Sequence, residues 1–132
     1  MEKITKKKRA KAEEITSETI SQLVVHGMQE VKGIEIVVMD MRKVKNTMTD
    51  YFVICSGNTE NQVDAIADSI EDEITKATGI NPWHREGREA KEWVLLDYVD
   101  VVVHVFKKDR REFYNLEELW GDAEFTEFED KY

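Results

Sequence analysis

Two kinds of apolar pattern alternate along this chain, and their order constrains the fold more than any single motif. Ile20, Leu23, Val24, Met28 and Val31 recur at the spacing of one helical face. Ile34 to Met39 then forms a short run rich in β-branched residues, which suits a strand buried on both sides. Tyr51 to Cys55 repeats the strand pattern, and Val63, Ile66, Ala67, Ile70 and Ile74 return to helical spacing. Trp93 to Leu96 and Val101 to Phe106 are two further strand runs, and Phe113, Leu116 and Trp120 mark a last short helix. Helix, strand, strand, helix, then strands and a helix predict an α/β fold: a single layered domain with a mixed β-sheet flanked by helices.

The ends of these segments carry their own signals. Thr16 or Ser17 can cap the first helix, and Gly33 sits where a C-terminal glycine would stop it. Thr59 with Gln62, and Asp109 with Glu112, have the spacing of a capping box, and Gly79 closes the second helix. Asp40 to Asp50 reads as a polar loop, and Pro82 opens a weakly marked strand or loop to Glu86. The connection Asp97-Tyr98-Val99-Asp100 is tight, but a two-residue primed turn would want Gly or Asn where Val99 stands. A different turn type or a slightly longer loop is expected.

With 132 residues, 41% of them hydrophobic, the chain has material for one core, and no linker or repeat divides it. The longest stretch free of Asp, Glu, Lys and Arg is Thr19 to Gln29, far short of the roughly twenty residues of a membrane span. The N-terminus is basic without the apolar core of a secretory signal, and the lone Cys55 allows neither an internal disulfide nor a Cys-based zinc cluster. These features predict a cytoplasmic protein. Residues 1–14 hold six Lys/Arg against three Glu, so the remainder carries −12 of charge within a total of −9. An acidic body argues against broad phosphate-backbone binding as the main activity, and so against sequence-specific nucleic acid as a partner; it fits a protein partner, a small ligand or a basic macromolecular surface. Residues 1–16 read as a basic, frayed extension, 17–122 as the domain and 123–132 as an acidic tail.

Several residues could carry chemistry. Ser56-Gly57, at a strand end before a helix, could cradle a phosphate, but a single Gly more simply serves a turn. Asp97 and Asp100 could share a metal ion, although turns recruit Asp for its local hydrogen bonds. His26, His84 and His104 have no ligand spacing; alternation puts His104 on the face of Val102 and Phe106, as a hydrogen-bonded, partly buried ring. Cys55 reads as inert packing, and Lys107, Lys108, Arg110 and Arg111 as a solvated face. Trp93 and Tyr98, with the neighbouring acids, form either interface anchors or core, and periodicity leaves both open. No catalytic set, metal site or cofactor is read from the residues.

The blocks Asp50-Tyr51-Phe52-Val53-Ile54-Cys55-Ser56-Gly57, Glu86-Gly87 and Trp93-Val94-Leu95-Leu96-Asp97-Tyr98 closely resemble the ribosomal silencing factor S family, also called the Iojap family. Asp100-Val101-Val102-Val103-His104-Val105-Phe106 and Arg111-Glu112-Phe113-Tyr114-Asn115-Leu116-Glu117-Glu118-Leu119-Trp120 continue the match, which spans residues 17 to 122. The resemblance implies a nucleotidyltransferase-like sheet without the catalytic residues, hence no enzyme. It implies a partner, the large ribosomal subunit through its ribosomal protein number fourteen, whose face the factor occupies to hinder subunit joining and lower translation under nutrient limitation. It also implies a capacity to form a homodimer, and a role in ribosome assembly among organelle relatives. The alternative is a divergent nucleotidyltransferase that uses Ser56-Gly57 for phosphate and Asp97 with Asp100 for metal. The family's partner-binding block maps to Trp93, Leu96, Asp97 and Tyr98, to which Asp100 is added on charge grounds. His104, Arg111 and Tyr114 also match family positions and read as structural. One departure stands out: the family has Gly between the two acids, where this chain has Val99.

Overall fold

The structure, a computed structural model, describes residues 15–130. Helix α1 (Ser17–Glu30) is followed by strands β1 (Ile34–Asp40) and β2 (Tyr51–Gly57), and then by helix α2 (Glu60–Thr78). Strands β3 (His84–Glu86), β4 (Trp93–Asp97) and β5 (Val101–Lys107) lead into two short helices, α3 (Lys108–Tyr114) and α4 (Leu116–Leu119). A last strand is β6 (Glu124–Glu127). The basic leader expected over residues 1–16 lies almost wholly outside the described residues. No helix among the described residues is long and apolar enough to cross a membrane.

The helix ends follow their sequence signals where side chains can cap. Thr16 Oγ1 accepts from the Thr19 amide at 3.1 Å, and Thr59 Oγ1 from the Gln62 amide at 3.1 Å. Gln62 reaches back to accept from the Asn58 amide at 2.8 Å, completing the box. Gly79 takes the left-handed conformation (φ 76) at the end of α2. The end of α1 differs from expectation. Lys32, not Gly33, holds the positive φ of 60, and Gly33 closes the motif by donating to Met28 O at 2.8 Å. A Cβ on Gly33 would stand 3.0 Å from that oxygen, so glycine is needed there for close approach. The Asp109/Glu112 signal is also overruled, since α3 starts at Lys108 with no side-chain cap.

The six strands form one mixed sheet in the order β3-β4-β5-β2-β1-β6. Only β2 and β5 run parallel, with Ile54 opposite His104; all other neighbours are antiparallel. Residues 123–132 were expected as a tail, but Glu124–Glu127 instead pairs with β1 as an edge strand. Its side chains are all exposed, and this lack of apolar alternation hid it from the sequence. One face of the sheet is covered by α1 and α2, whose Val24, Met28, Val63, Ile66 and Ile70 pack on Val53, Cys55, Val94, Leu96, Val103 and Val105. The opposite face carries Met39, Ile54 and Phe106 beneath Met41, Leu116 and Ala123. Central strand β5 is therefore buried on both sides, as its continuous apolar run requires.

Candidate functional site

Strand alternation divides the five residues expected to meet a partner. Trp93, Leu95 and Asp97 point to the α3/α4 face, while Val94, Leu96 and Tyr98 point beneath α1 and α2. Leu96 is 0% exposed and cannot touch a partner, which corrects its expected contact role. Tyr98 packs against the same core, with its hydroxyl buried and without a hydrogen-bond partner. Burial, and to a smaller extent Glu71, holds that hydroxyl well above the ordinary phenol range. Trp93 and Asp97 are half-buried and Asp100 is exposed, so these three share access to solvent.

The turn between β4 and β5 takes the first of the two expected forms, a turn type outside the primed pair. Tyr98 N donates to Val101 O at 2.8 Å, and Asp100 N donates back to Tyr98 O at 3.0 Å. Val99, the central residue of that two-residue reach, has φ 74. This is the positive-φ γ-turn, a strained form even without a branched side chain. Asp97 Oδ1 holds it by accepting from the Val99 amide at 2.7 Å. Val99 therefore adopts the backbone angle that a glycine would favour.

Trp93 opens a row of rings that crosses the sheet. Its indole stacks on Phe106 at 5.1 Å and meets Tyr114 at 4.5 Å. Its Nε1 donates to His104 Nδ1 at 3.0 Å. His104 meets Phe52 edge to face at 4.9 Å, and Phe52 meets Trp120 in the same manner at 5.9 Å. At the other end Tyr114 adjoins Phe113. Seven rings are thus in continuous contact, and the row reaches solvent at Phe113, which is 74% exposed.

Two supports hold this row. Arg111 is buried and donates through Nη1 to Glu35 O and to Ser56 Oγ (3.1 Å), and through Nη2 to Glu117 at 3.4 Å, tying α3 to the sheet. Before β4, Gly87 (φ 83) lies so close to Trp93 that an added Cβ would stand 1.9 Å from its carbonyl oxygen. Arg88, beside it, pairs with Asp64, Asp68 and Glu71 of α2, which pins the loop that delivers Trp93. His104 and Arg111 accordingly hold the site together from below.

Sequence reasoning missed Phe113 and Leu119 as surface residues. It placed Phe113 with Leu116 and Trp120 on one helical face, but Asn115 (φ 43) breaks the helix between them and turns Phe113 outward. The adjacent pair Phe113-Tyr114 was the available signal, since neighbouring helical positions cannot both face one core.

The other candidates are accounted for by packing. Gly57 is buried under α2, so closely that an added Cβ would lie 3.1 Å from Val63, while Ser56 is buried on the opposite face, where Arg111 of α3 donates to its Oγ. Asp97 Oδ1 is engaged by its own turn. Cys55 is fully buried, and burial pushes its thiol pKa up to about 12, as suits inert packing. Among the described residues no group of three or more His, Cys, Asp or Glu could hold a metal ion.

These residues define a small α/β scaffold in which buried His104 and Arg111 support a row of rings that reaches solvent at Phe113. The chain belongs to the family of ribosomal silencing factors, for the family model described as "Ribosomal silencing factor during starvation" matches residues 13–131. It is 42% identical over 115 residues to the ribosomal silencing factor RsfS of Halalkalibacterium halodurans, covering 87% of this chain and 97% of that one. It is 39% identical over 115 residues to RsfS of Bacillus subtilis, covering 87% and 96%. A crystal structure of a Chromobacterium violaceum protein superposes with a TM-score of 0.76 at 34% identity, covering 81% of this chain and 88% of that one.

Proposed function

We propose that this chain is a ribosome-binding silencing factor without enzymatic activity. It docks on the large ribosomal subunit through ribosomal protein number fourteen, blocks joining of the small subunit and so lowers translation under nutrient limitation. The observation that carries this reading is the row of rings from Trp120 to Phe113, open to solvent at Phe113, on the sheet face toward which Asp97 also points. Aromatic anchors with a charged rim are the usual energetic centre of a protein interface, and such an interface needs only about 800 Å² per partner. Steric blocking asks for nothing more than a rigid body seated on the right face. The nucleotidyltransferase alternative draws no support from Ser56 and Gly57, which are covered.

Co-sedimentation with isolated ribosomal subunits tests the reading. The chain should pellet with large subunits alone, and a Trp93→Ala/Asp97→Lys variant, verified as folded by circular dichroism, should stay in the supernatant. Wild-type protein that pellets with neither subunit would overturn it.

A further inference from the structure

Strand β5 is buried on both faces, and its apolar run is Val or Phe at every position but one. The exception is His104, 4% exposed. Packing gives no reason for an imidazole there, because a buried polar ring is costly unless both nitrogens are matched. Only one is. Nδ1 lies 3.0 Å from Trp93 Nε1, and an indole N–H can only donate, so Nδ1 is the acceptor and the ring proton sits on Nε2. Nε2 is buried and has no hydrogen-bond partner. Burial also keeps the ring neutral, with its pKa lowered to about 3, so Nδ1 remains an acceptor at every physiological pH.

The single polar tie of this buried ring therefore runs to the contact row. Stacking on Phe106, with the tilted Tyr114 ring against it, sets the plane of the Trp93 indole. Stacking does not choose between the two edges of the ring, because a half-turn about the outer side-chain torsion leaves both faces covered. The Nε1–H bond does choose. We propose that His104 is the positioning residue of the contact surface: its Nδ1 fixes which edge of Trp93 faces the core and which edge meets the partner. This rests on the docking reading of Trp93 given above.

The full-length chain tests it with three variants. Asn at 104 can place an acceptor oxygen near the position of Nδ1, whereas Leu fills similar space with none. Trp93→Ala identifies the Trp93 indole N–H among the signals of the three tryptophans in an amide-region NMR spectrum. In wild type that signal should be protected from solvent exchange. His104→Leu should lose the protection and bind large subunits about tenfold more weakly, the scale of one partly buried hydrogen bond. Its thermal midpoint should be unchanged or raised, and His104→Asn should restore both protection and binding. If His104→Leu keeps the protected signal or full affinity while Trp93→Ala weakens binding, the positioning role is wrong. A lowered midpoint with a binding loss that Asn does not repair would make His104 merely structural and also overturn it. Full affinity in Trp93→Ala would instead sink the docking reading.

Discussion

Val99 is the residue where local preference and observed conformation disagree most. A β-branched side chain at φ 74 costs about 1–3 kcal/mol, and here it is 58% exposed, so little packing offsets that cost. Glycine would remove the strain and give back roughly 0.5–1 kcal/mol through the greater freedom of the unfolded chain. Val99→Gly should therefore stabilise the protein by about 1 kcal/mol, read as a raised urea midpoint with unchanged m; a lowered midpoint would mean that the Val99 side chain packs productively. His104 gives a second expectation. Its pKa of about 3 in the fold lies below the ordinary 6.5, so between those values the unfolded chain binds more protons than the folded one. Stability from this group is complete above about 6.5 and drains away as pH falls toward 3. His104→Leu should escape that loss, gaining on the wild type by at most about 1.4 kcal/mol per pH unit from pH 6 to 5 in denaturation series.

Helices α1 and α2 are held closer than ordinary side chains allow. At Gly27 an added Cβ would stand 2.9 Å from the Ile70 Cα, and Ser69 Oγ donates to Gly27 O at 2.8 Å across the same crossing. Ala is favoured over Gly inside a helix by about 1 kcal/mol, but forcing backbone apart in a packed core costs about 1–3 kcal/mol. Gly27→Ala should thus lower the thermal midpoint, whereas the same change at an uncrowded helix position would raise it. This crossing also marks what the sequence could tell. The apolar stripes of α1 and α2 and the runs of β1, β2, β4 and β5 were legible because each buries a periodic face. Strand β6 was not, because an exposed edge strand has no face to bury. Leu96 lies inside for a related reason: within a block of adjacent strand residues, neighbours point to opposite sides of the sheet. The row of rings itself joins β2, β4, β5, α3 and the end of α4, and the parallel pairing of β2 with β5 brings Phe52 to His104.

Charge acts at the scale of the whole molecule. Residues 15–132 carry −12, and a ribosomal subunit presents RNA phosphate over most of its surface. If the chain docks as proposed, long-range forces oppose the encounter even where Asp97 and Asp100 would meet a basic ribosomal protein at short range. The two contributions differ in reach. At about 10 mM salt the screening length is roughly 30 Å, enough for the chain to feel RNA well beyond its docking patch; at about 150 mM it is roughly 8 Å, and little beyond the patch is felt. Association with intact large subunits should accordingly speed up as salt rises between these limits. Association with the isolated basic ribosomal protein should slow over the same range, since only attraction is being screened. Stopped-flow binding of the labelled chain to each target separates the cases. If docking slows on both, direct ion pairs at Asp97 and Asp100 dominate the encounter; opposite trends would leave the aromatic row as the main source of affinity and charge as the gate that keeps the chain off bare RNA.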